Sequence, residues 1–344
     1  MSQPSSTRRL LLPLVPLYRL ALGLRELRLG SRLEPVHRLR FPVVSIGSLS
    51  AGGSGKTPLA IALAQALKRR GWSVDVLSRG YGRQDKGALR VDLDGTAEEF
   101  GDEPLLIARE AGVPVYVAAQ RYQAGLLAEN SLTASINPVV HLLDDGFQHR
   151  QLHRHVNILL LDGRDLKDHL LPAGNLREPL SAMQRATILA IPADDPELEA
   201  KLKAKGWHGP IWLLHRRMEV PPIDGPIVAF CGIARSEQFF AGLQSAGLDL
   251  ASRIAFPDHH RYNVRDLDRI QAAARAAGAK AIVTTEKDKV RLGKFTSVFP
   301  ESIRLETASL RIEIEDENAA LSFIENRLED TDAHPTLPGS ASPR

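Results

Sequence analysis

The sequence predicts an α/β protein whose mostly parallel sheet is covered on both faces, and three observations carry that prediction. Short runs rich in β-branched and aliphatic residues recur with helical stretches between them, the order of a sheet wound by crossover helices. Residues 43–57, VVSIGSLSAGGSGKT, place a buried-strand pattern, a glycine-rich turn and a helix start in succession. Residues 141–149, HLLDDGFQH, end another apolar strand on paired carboxylates. Ligands of such folds bind at the carboxyl ends of parallel strands, so the last two observations point to one edge.

The glycine-rich turn has the makings of a phosphate cradle. The small residues Gly52, Gly53, Ser54 and Gly55 let backbone N–H groups close on a phosphate. Lys56 brings a point charge and Thr57 offers a hydroxyl to Mg²⁺. The helix that follows, PLAIALAQALKRRG, turns its N-terminal dipole to the same anion. The general pattern G-x-x-x-x-G-K-[ST] would have its first glycine at position 50, where this chain has Ser50. A glycine-serine turn is also the composition of an ordinary loop. The strand before it and the helix after it favour nucleotide binding, and the core is expected to be P-loop NTPase-like.

The remaining elements follow in order. SVDVLSRG, VPVYVA, NPVVHLLDDG, HVNILLLDG and ATILAIP read as strands. PPIDGP at 221–226 can continue neither helix nor strand and reads as a hinge. Beyond it, IVAFCGIA, two helical stretches, AKAIVTTEKD and a final helix make a smaller α/β unit. The expected organisation is an N-terminal helix over 1–35, a core over 36–220, a smaller domain over 221–329 and a disordered Pro/Ser/Gly-rich tail over 330–344.

Composition narrows the function. At 344 residues, 43% apolar and 25% charged, the chain has room for two globular domains. A net charge of +3 and 5% aromatic residues give no case for a nucleic-acid surface. The single cysteine, Cys231, excludes an intrachain disulfide, and no Cys/His cluster has zinc spacing. Residues 8–28, RRLLLPLVPLYRLALGLRELR, are leucine-rich but interrupted by Pro13, Pro16 and Arg19, too broken for a membrane span. Two readings compete: a core helix, or a helix lying on a membrane surface. The excess of Arg8, Arg9, Arg19, Arg25, Arg28 and Arg32 over Glu26 and Glu34 favours the surface, where basic side chains meet anionic lipid.

Several further groups are candidates for chemistry. Asp144 and Asp145 stand where a phosphate-loop enzyme holds Mg²⁺, although an Asp-Gly turn has the same sequence. Asp102 and Glu103, in GDEP, start a helical segment; capping alone accounts for acids there, but a kinase needs a carboxylate or imidazole to take a hydroxyl proton. FPDHHRY brings Asp258, His259 and His260 on a loop of the second domain, where a histidine could orient that carboxylate across a cleft. Arg79, Tyr81 and Arg83 after one strand, and Arg121 near the next, are solvated arginines or a grip for an anionic substrate. Asn175, Arg177 and Glu178 lie on a proline-bounded loop that could meet a base or ribose, and Lys287 and Asp288 could border the cleft or simply open a helix.

Taken together, GSLSAGGSGKTP, LSRGYGR, GDEP, LLDDGFQH, PAGNLREP and FPDHH resemble the tetraacyldisaccharide 4′-kinase family over nearly the whole chain. That family usually has Asn where this chain has Ser48, and Ser or Thr is normal for it at position 50. The resemblance implies a kinase that moves the γ-phosphate of ATP, with Mg²⁺, to the 4′-hydroxyl of a tetraacyl glucosamine disaccharide 1-phosphate. It further implies work on the cytoplasmic face of the bacterial inner membrane; the chain itself is expected to act as a monomer with no nucleic-acid partner. Carried over by position, Lys56 and Thr57 match nucleotide and Mg²⁺ contacts, and Asp144 and Asp145 the acidic pair at the metal. Asp102 matches the catalytic base, with His259 or His260 as its partner, His260 being favoured. Arg79, Tyr81, Arg121, Glu103 and His149 match the substrate side, and Glu178 a position near the nucleotide. The competing class is a membrane-recruited ATPase or switch acting on a protein partner, which would hydrolyse ATP without an acceptor.

Overall fold

The computed structural model of the chain describes residue 8 and residues 10–31, 35–132, 137–300 and 303–332. After a 3₁₀ turn at Leu12–Leu14 the first helix is α1 (Val15–Gly30). Next come β1 (Val43–Ser48), α2 (Lys56–Arg69), β2 (Ser73–Ser78), β3 (Leu89–Arg90), α3 (Ala97–Phe100) and α4 (Asp102–Ala111). β4 (Val115–Val117), α5 (Arg121–Ser131), β5 (Val139–Leu143), β6 (Val156–Leu160), β7 (Ile188–Pro192), α6 (Pro196–Ala204) and β8 (Ile211–Glu219) complete the first half. The second half holds β9 (Pro226–Cys231), α7 (Ser236–Ser245), β10 (Asp249–Ala255), α8 (Val264–Ala276) and β11 (Ala281–Thr285). It ends in α9 (Glu286–Leu292), β12 (Arg304–Ile314) and α10 (Glu317–Asp332).

The strands join in one sheet of order β10-β9-β11-β12-β8-β7-β6-β1-β5-β2-β4-β3. β1 lies between β5 and β6, parallel to both, in the register Val44↔Leu142 and Ser45↔Asn157. Only β12–β8 and the short β3–β4 contact run antiparallel. The α/β class with a mostly parallel sheet is therefore as expected. Every residue of β1 and β5 is buried, because helices cover both faces, and so these strands show no alternation of apolar and exposed polar positions.

On one face of the first half, Leu59, Leu63 and Leu67 of α2 and Leu105 and Ile107 of α4 pack on Ile46 and Leu142. Leu321, Ile324 and Leu328 of α10 join this same cluster, so the last helix returns to the first half of the chain. Leu49, Phe147, Leu159, Met183, Leu189 and Trp207 fill the opposite face. The second half has its own pair of clusters, one around Phe230, Leu267 and Ile282 and one around Phe239, Phe240 and Val283. Each such side chain contributes roughly 1.5–3 kcal/mol on burial, so both halves carry a core of their own while sharing one sheet.

The N-terminal helix has two characters. Val15, Tyr18 and Leu22 pack on the second cluster, and the Tyr18 hydroxyl donates to the Arg177 carbonyl oxygen at 2.9 Å. Leu10, Leu17, Leu20, Leu24 and Leu27 remain 51–76% exposed. Among the described residues no helix is long and apolar enough to cross a membrane. Arg9, Arg32 and Glu34 of the charge argument, and the tail over 333–344, lie outside the described residues.

Candidate active site

The phosphate loop runs from the end of β1 to the start of α2. Gly52, Gly53 and Gly55 have φ of 75°, 59° and 91°, a region that side-chain-bearing residues rarely enter, which is why the segment is glycine-rich. Ser50 is not among the residues with positive φ; its carbonyl accepts the Ser48 hydroxyl at 2.8 Å, and glycine is dispensable there. Lys56 Nζ is held by the hydroxyls of Ser48 and Ser54, each at 3.2 Å, and lies 3.6 Å from Asp145 Oδ1. Thr57 is buried in the first turn of α2.

The carboxylates that follow β5 face this loop in two different electrostatic states. Asp144 is 2% exposed; Ser78 Oγ donates to its Oδ2 at 3.2 Å, while its Oδ1 is buried without a partner. Burial first, then the negative charges of Glu103 and Asp145, push its carboxyl up to about 7. For Asp145 burial acts the same way, but Lys56 and Arg177 outweigh it and hold the carboxyl well below the usual range. Arg177 donates to Asp145 through both terminal nitrogens, at 2.9 and 2.8 Å, and to the Ser48 carbonyl at 3.2 Å. Arg177 is thus spent on Asp145 and the phosphate loop. A buried carboxylate oxygen with no donor, next in sequence to a second carboxylate, is the donor chemistry of a hard divalent cation, although among the described residues no three acids or histidines form a metal cluster. Asp144, Asp145 and Thr57 therefore fit Mg²⁺.

A third group assembles from both halves of the chain. Gly101 precedes α4 with φ of 89°, and a Cβ there would meet Gly80 Cα at 3.0 Å, so the GDEP and SRGYGR loops touch because both are glycine at the contact. Asp102 is 5% exposed. Its Oδ2 faces His259 Nδ1 at 3.1 Å and accepts from Arg291 Nε at 2.7 Å, with Arg291 Nη2 also in ion-pair contact. Burial would raise the Asp102 carboxyl, but the His259 bond, Arg291 and Lys287 pull it far below the usual range. His259 is raised in turn, chiefly by its bond to Asp102. Beside Asp102, Glu103 pairs with Lys287 at 2.5 Å.

The preference for His260 as the partner of Asp102 is corrected. His260 Nε2 lies 2.9 Å from Asp266 Oδ2 and its ring stacks on Phe256, while His259 turns the other way at a left-handed backbone (φ 56°). Among the described residues the two non-glycine positions with positive φ are Asp145 and His259, both in this site, where strain of roughly 1–3 kcal/mol is held by surrounding contacts. Tyr81, Asp102, His259 and Arg291 line a cavity of about 440 Å³.

The expected substrate-side residues divide. Arg121 is 8% exposed, reaches the Asp145 carbonyl at 3.5 Å, and buries an unpartnered Nε. His149 is driven down to about 4 by burial and then by Arg121, Arg154, Arg25 and Arg79, so it is neutral at physiological pH amid a cluster of cations. Arg79 and Tyr81 are exposed, and the Tyr81 ring lies 5.2 Å from that of His259. The Glu178 carboxylate pairs with Arg185 and, at 4.0 Å, with Arg25 of α1, on a segment whose Arg177 N–H donates to the Leu49 carbonyl at the start of the phosphate loop. Sequence reasoning missed Arg291. The available signal was its spacing of four from Lys287, which sets both cations on one face of α9 opposite the adjacent acids Asp102 and Glu103.

A profile of the family described as tetraacyldisaccharide-1-P 4′-kinase matches residues 7–329. The chain belongs to this family. Relatives named tetraacyldisaccharide 4′-kinase include one from Koribacter versatilis, 39% identical over 323 residues that span 91% of this chain and 97% of the relative. One from Geobacter metallireducens is 39% identical over 309 residues, 81% of this chain and 87% of the relative. A crystal structure of the Aquifex aeolicus family member, described as an "apo" form in complex with ATP, superposes with a TM-score of 0.73 at 33% identity. The superposition covers 94% of this chain and 99% of that one. As a member of this kinase family the chain is an enzyme, a transferase of phosphoryl groups.

Proposed function

We propose that this kinase transfers the γ-phosphate of ATP to the 4′-hydroxyl of a tetraacyl glucosamine disaccharide 1-phosphate, a step in making lipid A. The observation that carries the reading is the meeting of Asp102 and His259, 157 positions apart in sequence, on the sheet edge that holds Lys56 and Asp144. Support also comes from the names of the relatives and from the ATP in the Aquifex aeolicus structure. Phosphoryl transfer asks little covalent work of a protein; positioning and charge neutralisation carry the rate.

Loop N–H groups and Lys56 take the phosphates. Thr57, Asp144 and Asp145 would hold Mg²⁺, which when bound neutralises charge on the transferring group. The sugar hydroxyl is deprotonated by Asp102, with His259 as its partner, and Glu103, Arg79, Tyr81, Arg121 and His149 surround the acceptor. Arg121 and His149 supply a cationic bay for the acceptor's own phosphate. We read residues 36–220 and 221–329 as two units whose cleft excludes water, and α1 as the segment that lies on the cytoplasmic face of the inner membrane. The enzyme acts as a monomer.

The test is ATP turnover with and without the glycolipid acceptor. Acceptor-dependent turnover is expected, falling by several kcal/mol worth of rate in Lys56→Ala with the fold intact. Acceptor-independent hydrolysis at the same rate would favour the ATPase or switch, and equal kcat for Lys56→Ala at saturating Mg-ATP would end the phosphate-loop reading.

A further inference from the structure

Arg291 touches both members of the proton-accepting pair. Its Nε donates to Asp102 Oδ2 at 2.7 Å, and its Nη2 lies 3.3 Å from His259 Nδ1. The guanidinium is fixed from behind. Its Nη1 donates to Asp288 Oδ1 at 3.0 Å and to the Gly232 carbonyl at 2.5 Å. Asp288, with no exposed surface, is itself held by the Gly232 N–H at 3.1 Å and the hydroxyls of Tyr262 at 2.9 Å and Thr285 at 2.6 Å. The cation is therefore bolted to the second half of the chain while its Nε reaches an acid of the first. With its side chain only 6% exposed, water screens it weakly.

We propose that Arg291 is a positioning residue of the Asp102–His259 pair, fixing the carboxylate against the imidazole and setting the pH at which the pair is ready to take a proton. This rests on the kinase reading above. The reason is a three-body balance. A buried carboxylate alone would hold the imidazole as imidazolium through neutral pH, and an imidazolium weakens Asp102 as a base and cannot take the proton on from it. A fixed cation in contact with both opposes that: it favours ionised Asp102 and offsets part of the rise that the carboxylate gives His259.

The other groups facing His259 do not supply this balance. Asp258, on its own loop, lies 4.0 Å from His259 Nε2 and adds negative charge; the Tyr81 ring is uncharged. Lys287, paired with Glu103, lowers Asp102 but is not among the groups acting on His259, and the neighbouring His260 is engaged by Asp266.

The experiment compares kcat/KM for the glycolipid acceptor against pH in wild type, Arg291→Gln and Arg291→Lys, with ATP affinity and melting temperature as controls of fold. Removing the cation lets His259 keep its proton to higher pH. The acid limb should then move up by about one unit in Arg291→Gln and stay near wild type in Arg291→Lys. A tie that merely holds the halves together predicts a uniform loss with no movement of the limb. A folded Arg291→Gln enzyme with an unmoved limb overturns the proposal, even though the enzyme remains a kinase. Should Arg291→Gln not fold, Arg291→Met keeps the apolar stem and carries the same comparison. Absence of acceptor-dependent turnover in wild type would instead remove the kinase reading itself.

Discussion

Asp144 concentrates the conflict between stability and catalysis in a single residue. Its partnerless oxygen sits in the protein interior under the charges of Glu103 and Asp145, and Lys56 and Lys287 offset burial and those charges only in part. Ionised there, it destabilises the ligand-free fold on the order of 2 kcal/mol. Asp144→Asn keeps the bond from Ser78 and removes the charge. The variant should melt higher than wild type without nucleotide or metal, yet lose at least about 100-fold in kcat. Thermal shift with and without Mg-ATP checks both parts: wild type gains on addition of Mg-ATP, and the variant gains much less. An Asp144→Asn protein that melts lower, or turns over normally, would place the acidic pair outside the metal's reach. At the same scale, Asp102→Asn should cost about 10²–10⁴-fold in kcat with little change in either KM. A change confined to KM would make Asp102 a binding group.

At the scale of elements, β2, β5 and α5 are tied by a buried ionic cluster away from the chemistry. His141 of β5, with no exposed surface, places Nδ1 at 2.8 and 2.9 Å from the Asp75 carboxylate of β2 and Nε2 at 3.5 Å from Glu129 of α5. Glu129 also accepts the backbone N–H groups of Arg40 and Phe41, which lead into β1. Burial alone would lower the imidazole, but the charge and hydrogen bonds of Asp75 and those of Glu129 carry it up to about 9. A folded value above the unfolded one, about 6.5, means the contribution is complete below that pH and is lost as pH rises through about 9. The stability difference between wild type and His141→Gln, on the order of 3 kcal/mol at most, should be full at pH 6 and shrink by pH 9.5. Urea midpoints at the two pH values read it; a difference that grows with pH would mean His141 is folded neutral.

The same scale separates what was legible in the sequence from what was not. β1, β2, β5, β6 and β7 announce themselves because burial on both faces makes them dense in β-branched and aliphatic residues, broken only by single polar ones such as Asp75 and His141. β8 and β12 do not: IWLLHRRME and RLETASLRIEI mix charges such as Arg216, Arg217, Glu306 and Arg311 into their strands. Their antiparallel pairing is what fuses the two halves into one sheet. The site was legible wherever the chemistry lies within one motif, as in Lys56–Thr57 and Asp144–Asp145. It was not legible where a contact spans the halves. Choosing His259 over His260 needed the backbone turn at φ 56°, and Arg291 sits in no motif at all.

For the molecule as a whole, the proposed glycolipid acceptor has to be reached without a spanning helix among the described residues. α1 answers with two faces. Tyr18 and Leu22 fasten it to the core beside Arg177, and Arg25, one turn on, is among the charges that act on His149. The helix therefore borders the cationic bay proposed for the acceptor's phosphate. Its other face sets Leu17, Leu20, Leu24 and Leu27 in solvent with Arg19 and Arg28 nearby, the arrangement of a helix that lies in a lipid interface. Leu17→Glu with Leu24→Glu alters only that outer face. The pair should weaken flotation with anionic liposomes and raise KM for the glycolipid several-fold, leaving ATP affinity and melting temperature near wild type. High salt should imitate part of the loss, because screening weakens the arginine attraction and not the leucine burial. Deleting residues 8–28 is the harsher version and should lower stability as well, since it strips Val15, Tyr18 and Leu22 from the core. If the double variant floats as wild type does, or loses ATP binding along with lipid, α1 is a packing element whose exposed leucines serve something other than a membrane.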